Sequence, residues 1–507
     1  MRLSVLLFSL LCAVLACAAE VRPLLHFTPE KGWLNDPNGL FYDRKDDIWH
    51  IYFQSNPKNP FWEKELHWGH ATSKDLTNWT QHESAINPSH RGEGILSGSV
   101  VVDRNNTSGF FNDSVHPEHR IVALYTRNPG LIETQEAAYS VDGGYTFTKY
   151  EKNPVLDVKS SQFRDPKVMW HEASNQWIMT VVEAQDYQIQ IYGSDDLKNW
   201  NFHSNFSAGY PGFQFECPGL SEVPIAGTNE TKWVLFLAIN PGAPWGGSAS
   251  QYFVGDFDGY EFKAIDSLTR FVDIGKDYYA LQTFSNVEKK DGVIGISWAS
   301  NWQYANKVPA SNWRGMLAMA RNFTLDYVSV NPQKKLLSLV ESPIFEANVS
   351  KTSEKKNVKL QKGDSIEFET KSGVFEFELD FQTMKNITYP EQPNLDLYIT
   401  SSNGKESIRF GFEADVGAFY FDRPTNVFQN PYYSNVVTAN IQPTKKYEYN
   451  IYGVVDQNVI ELFFMNGTTS STNIFYFSDG KPSKVELKSN YNDLFKIQKF
   501  SLRDLSV

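Results

Sequence analysis

Apolar residues along this chain recur with period two or in short unbroken runs, and the 3.6-residue period of an amphipathic helix is hard to find. Trp49–Phe53, Ile121–Tyr125, Trp177–Val181, Trp233–Leu237 and Val293–Trp298 are such runs, and they read as strands. Each follows a polar or acidic turn motif at a similar interval, the motifs falling at Asp36, Ser97, Asp165, Glu216 and about Asp277. A second repeated feature supports five copies: Ser73–Trp79 (SKDLTNW) closely matches Ser194–Trp200 (SDDLKNW). Five units of roughly 60 residues, each with several strands, predict an all-β five-bladed β-propeller, because an isolated blade cannot bury both its faces. A propeller brings the first strand of every blade to one axis. Asp36, Asp165 and Glu216 are therefore expected to meet in a single axial pocket although they are far apart in sequence.

The texture changes beyond residue 340. Residues 341–364, rich in Lys and Ser from Val349 onward, read as a linker between a propeller over 20–340 and a second domain over 365–507. Strict alternation returns in Val374–Phe381 and Tyr447–Tyr452, and less regularly in Val459–Phe464, predicting a C-terminal lectin-like β-sandwich.

Composition narrows the partners. Lys and Arg total 47 against 59 Asp and Glu, a formal charge of −12, which argues against nucleic acid and anionic membranes. Aromatic residues make up 15% of the chain, a content that suits stacking on neutral sugars and equally suits a β-rich core. Residues 1–19 carry Arg2, an apolar run over Val5–Leu15 broken only by Ser9, and small residues at 16–19, the pattern of a cleaved secretory signal. That run is too short to span a bilayer and no later stretch is long enough, so the mature chain is expected in the extracellular or cell-wall space. Removing the signal leaves Cys217 as the single cysteine, so no intrachain disulfide is expected. Ten Asn-x-Ser/Thr sequons, at Asn78, Asn105, Asn106, Asn112, Asn205, Asn229, Asn322, Asn348, Asn386 and Asn466, point to a glycoprotein.

The candidate chemistry starts from Trp33-Leu34-Asn35-Asp36-Pro37-Asn38-Gly39, where Pro37 restricts the backbone and Asn38-Gly39 supplies a tight turn, so that the Asp36 carboxylate is aimed. Phe163-Arg164-Asp165-Pro166 repeats the Asp-Pro device, and Phe215-Glu216-Cys217-Pro218 sets a Glu in a similar apolar frame. Two carboxyl groups facing each other across a sugar suffice for glycoside hydrolysis. Amide-flanked Asp36 is expected to stay ionised as nucleophile, and Glu216, among apolar neighbours, to hold a proton as acid/base. Asp165 beside Arg164 is expected to remain charged and to stabilise the transition state.

These three motifs, in this order, resemble the signature of glycoside hydrolase family 32. The likeness runs from His26 to the C-terminus and includes His67–Ser73, Lys276–Gln282 and Trp298–Trp302. The resemblance implies a five-bladed propeller with a C-terminal sandwich and a retaining attack on terminal non-reducing β-D-fructofuranosides such as sucrose and short fructo-oligosaccharides. It implies no metal and no cofactor. Carried onto matching positions, it makes Asp36 the nucleophile, Asp165 the transition-state stabiliser and Glu216 the acid/base. Asn35, Gln54, Trp62, Ser97, Arg164 and Trp302 would line the fructosyl subsite. The sandwich, without an acidic turn motif, is expected to serve stability and homo-oligomer formation. Two positions depart from the family pattern: Ser55 stands where Tyr is common and Leu96 where Phe is common, which thins the expected aromatic lining of the leaving-group side. An exo-inulinase, a fructosyltransferase and a non-catalytic sugar-binding propeller are the competing readings.

Overall fold

The computed structural model describes residues 21–507 except 289–291, 386–391, 434–435, 444, 446, 479 and 507, so the signal segment and the Asn386 sequon lie outside the described residues. Among the described residues, five sheets of four or five strands, antiparallel except for one parallel pair, form the N-terminal part, and two six-stranded sheets form the C-terminal part. The five sheets are the blades of a propeller. Their first strands, Gly32–Asp43, Gly94–Val102, Phe163–His171, Phe215–Pro224 and Tyr279–Thr283, pack side by side around the axis. The apolar runs read from the sequence are the second strands of the same blades, each antiparallel to an inner strand. Those second strands are almost wholly buried because sheets cover both of their faces, and this accounts for runs in place of strict alternation. The ring is fastened by Trp313–Arg314, which pairs in parallel with Gly32–Trp33 of the first blade.

The two SxDL-like repeats occupy equivalent turns between the third and fourth strands of blades one and three. Asp75 Oδ1 accepts the Thr77 and Asn78 N–H groups, and Asp196 Oδ1 accepts those of Lys198 and Asn199. Leu76 and Leu197 both take the left-handed conformation, at φ 64° and 61°.

The expectation of a linker over 341–364 is corrected by the structure. Lys334–Ile344 is the outer strand of blade five, and Asn348–Leu360 is an edge strand of the first sandwich sheet, paired with Phe495–Ser506. An edge strand uses one row of ladder hydrogen bonds, and nearly all its side chains here are exposed. Its Lys, Ser and Glu residues therefore carry no apolar alternation, and charge on such a strand discourages pairing with other chains.

Between the two parts lies a fully buried polar junction. Arg321 of the propeller donates to Asp273 Oδ2 at 3.1 Å, Glu341 Oε2 at 2.7 Å and Glu461 Oε2 at 2.7 Å, the last from the sandwich. Arg423 of the sandwich reaches back to Asp277 Oδ2 at 2.7 Å. His26 bridges Asp456 and Glu461 at 2.8 and 3.1 Å. Such groups are tolerated in the interior only when each is paired, so the junction fixes one relative placement of propeller and sandwich.

Candidate active site

A cavity of about 460 Å³ opens at one end of the propeller axis and is lined by Asn35, Asp36, Gln54, Trp62, Ser97, Arg164, Asp165, Glu216 and Trp302. All nine residues singled out in the sequence thus border one space. They do so through a shared device. The pairing register of each inner strand slips at its motif: between Leu34 and Pro37, Ile95 and Gly98, Arg164 and Lys167, Glu216 and Gly219, and Tyr279 and Gln282. A bulge breaks the alternation of faces, so neighbouring residues such as Asn35 and Asp36, or Arg164 and Asp165, can border the same cavity. Asp165 and Cys217 sit at positive φ, 65° and 47°, a strained conformation for residues with a Cβ.

Asp36 is buried. Its Oδ1 accepts from Asn35 Nδ2 at 3.0 Å, its Oδ2 from Ser97 Oγ at 3.0 Å, and the Cys217 thiol lies 3.6 Å from Oδ2. Asn35 is in turn held by the indole N–H of fully buried Trp33, at 2.7 Å. Burial raises the Asp36 pKa, the Asn35 and Ser97 hydrogen bonds oppose the rise, and the nearby Glu216 adds to it, leaving it pushed up to about 6. Desolvation thus outweighs the Asn35 amide and the Ser97 hydroxyl.

Asp165 is also placed differently from expectation. The guanidinium of Arg164 turns to Glu133 Oε2 at 2.8 Å, Glu216 Oε1 at 3.3 Å and Gln162, while Asp165 Oδ2 accepts the Cys217 backbone N–H at 2.9 Å. Burial first and Glu216 second raise the Asp165 pKa, with Arg164 opposing. Burial and the neighbouring carboxylates thus raise the pKa values of Asp36 and Asp165 together. Glu216 is not in the apolar frame its sequence neighbours imply. Gln214 Nε2 donates to its Oε1 at 2.9 Å, and the hydroxyl of buried Tyr279 donates to Oε2.

Glu133, Gln214, Tyr279 and Trp33 were not singled out for roles in the sequence. Tyr279 lies within Lys276–Gln282 and Trp33 within the first motif, so two of the four carried a signal; Glu133 carried none. Both side-chain polar atoms of Gln54 are buried without a partner and border the cavity, which leaves them for a ligand's hydroxyl groups. Trp62, 40% exposed, stands edge-on to Trp302 with ring centroids 6.3 Å apart, and Trp302 packs on Trp298 at 4.9 Å. Leu96 borders the cavity, whereas Ser55, buried and paired with Leu34 on one side and in the uninterrupted ladder to His67 on the other, does not. Ser55 therefore does not shape a leaving-group subsite. Asp43, Asp46 and His119 are grouped closely enough to hold a metal ion, but none of them lines this cavity.

A propeller with a carboxyl triad at its axis and polar and aromatic walls defines a class, the sugar-processing propellers with a sandwich appended. The comparisons give the family. The model of the glycosyl hydrolases family 32 N-terminal domain matches residues 26–339, and that of the family 32 C-terminal domain matches 340–504. The chain belongs to glycosyl hydrolase family 32. It is 50% identical to an invertase of Debaryomyces hansenii over 96% of this chain and 94% of that protein. It is 49% identical to an extracellular exo-inulinase of Meyerozyma guilliermondii over 90% of each. A structure of fructofuranosidase from Schwanniomyces occidentalis complexed with fructose is similar with a TM-score of 0.94 and 50% identity, covering 97% of this chain and 99% of that one.

Proposed function

We propose that this β-fructofuranosidase of the invertase type releases terminal non-reducing β-D-fructofuranosyl residues from sucrose and short fructans by double displacement, with net retention. The observation that carries the proposal is the convergence of Asp36, Asp165 and Glu216 on one cavity whose wall offers the unpartnered amide of Gln54. In the first step the Asp36 carboxylate attacks the anomeric carbon, while the Glu216 carboxylic acid gives its proton to the glycosidic oxygen and the leaving sugar departs. In the second, water attacks the fructosyl ester, Glu216 takes the water's proton, and Asp36 is released. Asp165 accepts hydrogen bonds from the sugar's hydroxyl groups and balances positive charge on the ring, which strengthens as the transition state forms. Arg164, anchored by Glu133, sets the position of Glu216.

The exo-inulinase relative at 49% identity favours longer fructans as additional substrates. The leader-like pattern of residues 1–19 and the extracellular description of that relative support export, and self-association would use the sandwich. The test is turnover of sucrose, and separately of inulin, in the presence of methanol, with the methyl fructoside identified by NMR. The β anomer is expected from both substrates; the α anomer would show inversion, and no fructose release from sucrose would remove the substrate assignment. Asp36→Ala and Glu216→Ala should fold and lose turnover by several orders of magnitude.

A further inference from the structure

The inner strands carry a second cavity, further along the chain direction than the first. It has a volume of about 230 Å³ and is lined by Lys167, Ser221 and Thr283, among others, from the inner strands of blades three, four and five. Lys167 is 5% exposed, and its ammonium donates to the Thr283 carbonyl oxygen. Among the described residues no carboxylate forms an ion pair with it. Burial alone pushes its pKa down, to about 7, so it is a cation below neutral pH. The Ser221 and Thr283 hydroxyls lie 3.1 Å apart on the same wall; one hydroxyl hydrogen serves that contact and the other is free to turn. The one carboxylate in the lining, Glu222, is engaged by the Thr231 hydroxyl at 2.6 Å.

An ammonium has three N–H donors, and Lys167 uses one. A desolvated, unpaired charge is among the most unfavourable groups a protein interior can hold. Here it faces a cavity with a hydroxyl donor beside it. We propose that this second axial cavity is a binding site for a small monoanion of halide size, held by the Lys167 ammonium and a hydroxyl of the Ser221–Thr283 pair. Its cargo is distinct from the sugar of the first cavity, since no residue lines both.

The test replaces sodium gluconate by sodium bromide at constant ionic strength while thermal unfolding is followed, in the wild type and in Lys167→Met. A saturable rise in Tm of about 1–2 °C is expected for the wild type, from binding to the folded state alone, and none for the variant. Crystals of the wild type grown in bromide should show an anomalous peak at hydrogen-bond distance from Lys167 Nζ. An equal bromide response in both proteins, or no peak beside Nζ, would overturn the proposal. The diffraction arm uses the wild type, so it decides the matter even if Lys167→Met does not fold.

Discussion

Ser97→Ala isolates the balance that sets Asp36. The Ser97 hydroxyl is one of two donors to Asp36 Oδ2, and the other is the weak Cys217 thiol at 3.6 Å. A hydrogen bond to a charged acceptor contributes about 1.5–3 kcal/mol, and water entering the cavity replaces part of it. The lower end, about 1.5 kcal/mol, is close to one pKa unit, about 1.4 kcal/mol. Loss of the bond disfavours the ionised form, so the pKa rises, from about 6 toward roughly 7. Asp36 must be ionised to attack, and the acid limb of kcat/KM reports the free enzyme. That limb should therefore move up by about one pH unit, which gives a roughly tenfold loss well below the limb and almost none two units above it. The alkaline limb should stay in place, because Ser97 makes no contact with Glu216. The assay is initial-rate release of reducing sugar from sucrose across the pH range at subsaturating substrate. If Ser97 served only to hold the sugar, the loss would be uniform with pH. A uniform loss with both limbs fixed would refute the account of how Asp36 is tuned.

Glu133→Gln keeps the shape but removes the charge opposing Arg164, so kcat/KM should fall roughly tenfold, a charged hydrogen bond's worth, with little change in Tm; a value within twofold of wild type would show that Arg164 needs no such anchor. At the junction, burial opposes charge on His26, but Asp456 and Glu461 outweigh it and raise its pKa to about 9. A raised His pKa contributes stability that is present below the unfolded value of about 6.5 and is lost as pH rises through 9. Urea unfolding should therefore lose up to about 3 kcal/mol between pH 6.5 and 9, and His26→Asn should flatten that slope. Leu96→Phe adds a ring to the cavity wall and should lower KM for sucrose by roughly two- to tenfold, about 0.5–1.5 kcal/mol, with both pH limbs unmoved; an unchanged KM would place the added ring away from the sugar.

The blade count was legible because each blade repeats the same order, a turn motif followed by a buried strand, and the sandwich because its strands alternate. The edge strand Asn348–Leu360 was not, since a strand exposed on nearly every side chain leaves no apolar pattern to read. Glu133 was equally hidden. Its partner Arg164 belongs to the next blade, 31 residues on, and no local spacing encodes a contact between blades. The same limit applies to Asp165. Adjacency to Arg164 in the sequence set the guanidinium beside Asp165, but here it reaches Glu133, just ahead of a strand of the second blade, and Glu216 on the inner strand of the fourth.

Ser55 and Leu96 show where that limit falls. As departures from a motif they looked equivalent in the sequence, yet only Leu96 borders the cavity. The difference lies in the ladder. Gln54 and Ser55 pair without interruption with Trp68 and His67, so alternation holds and the residue beside a cavity-lining Gln54 must face the other way. Leu96 lies inside the register slip between Ile95 and Gly98, where alternation fails and Leu96 and Ser97 both border the space. A Tyr at position 55 would consequently enter a packed layer and destabilise the fold by about 1–3 kcal/mol without enlarging the sugar's contacts. The bulges on the five inner strands are what turn a short motif into a site. A residue's right to be counted among the functional ones depends on whether it falls inside such a slip or on the inward face of a regular strand, a distinction that residue type alone does not carry.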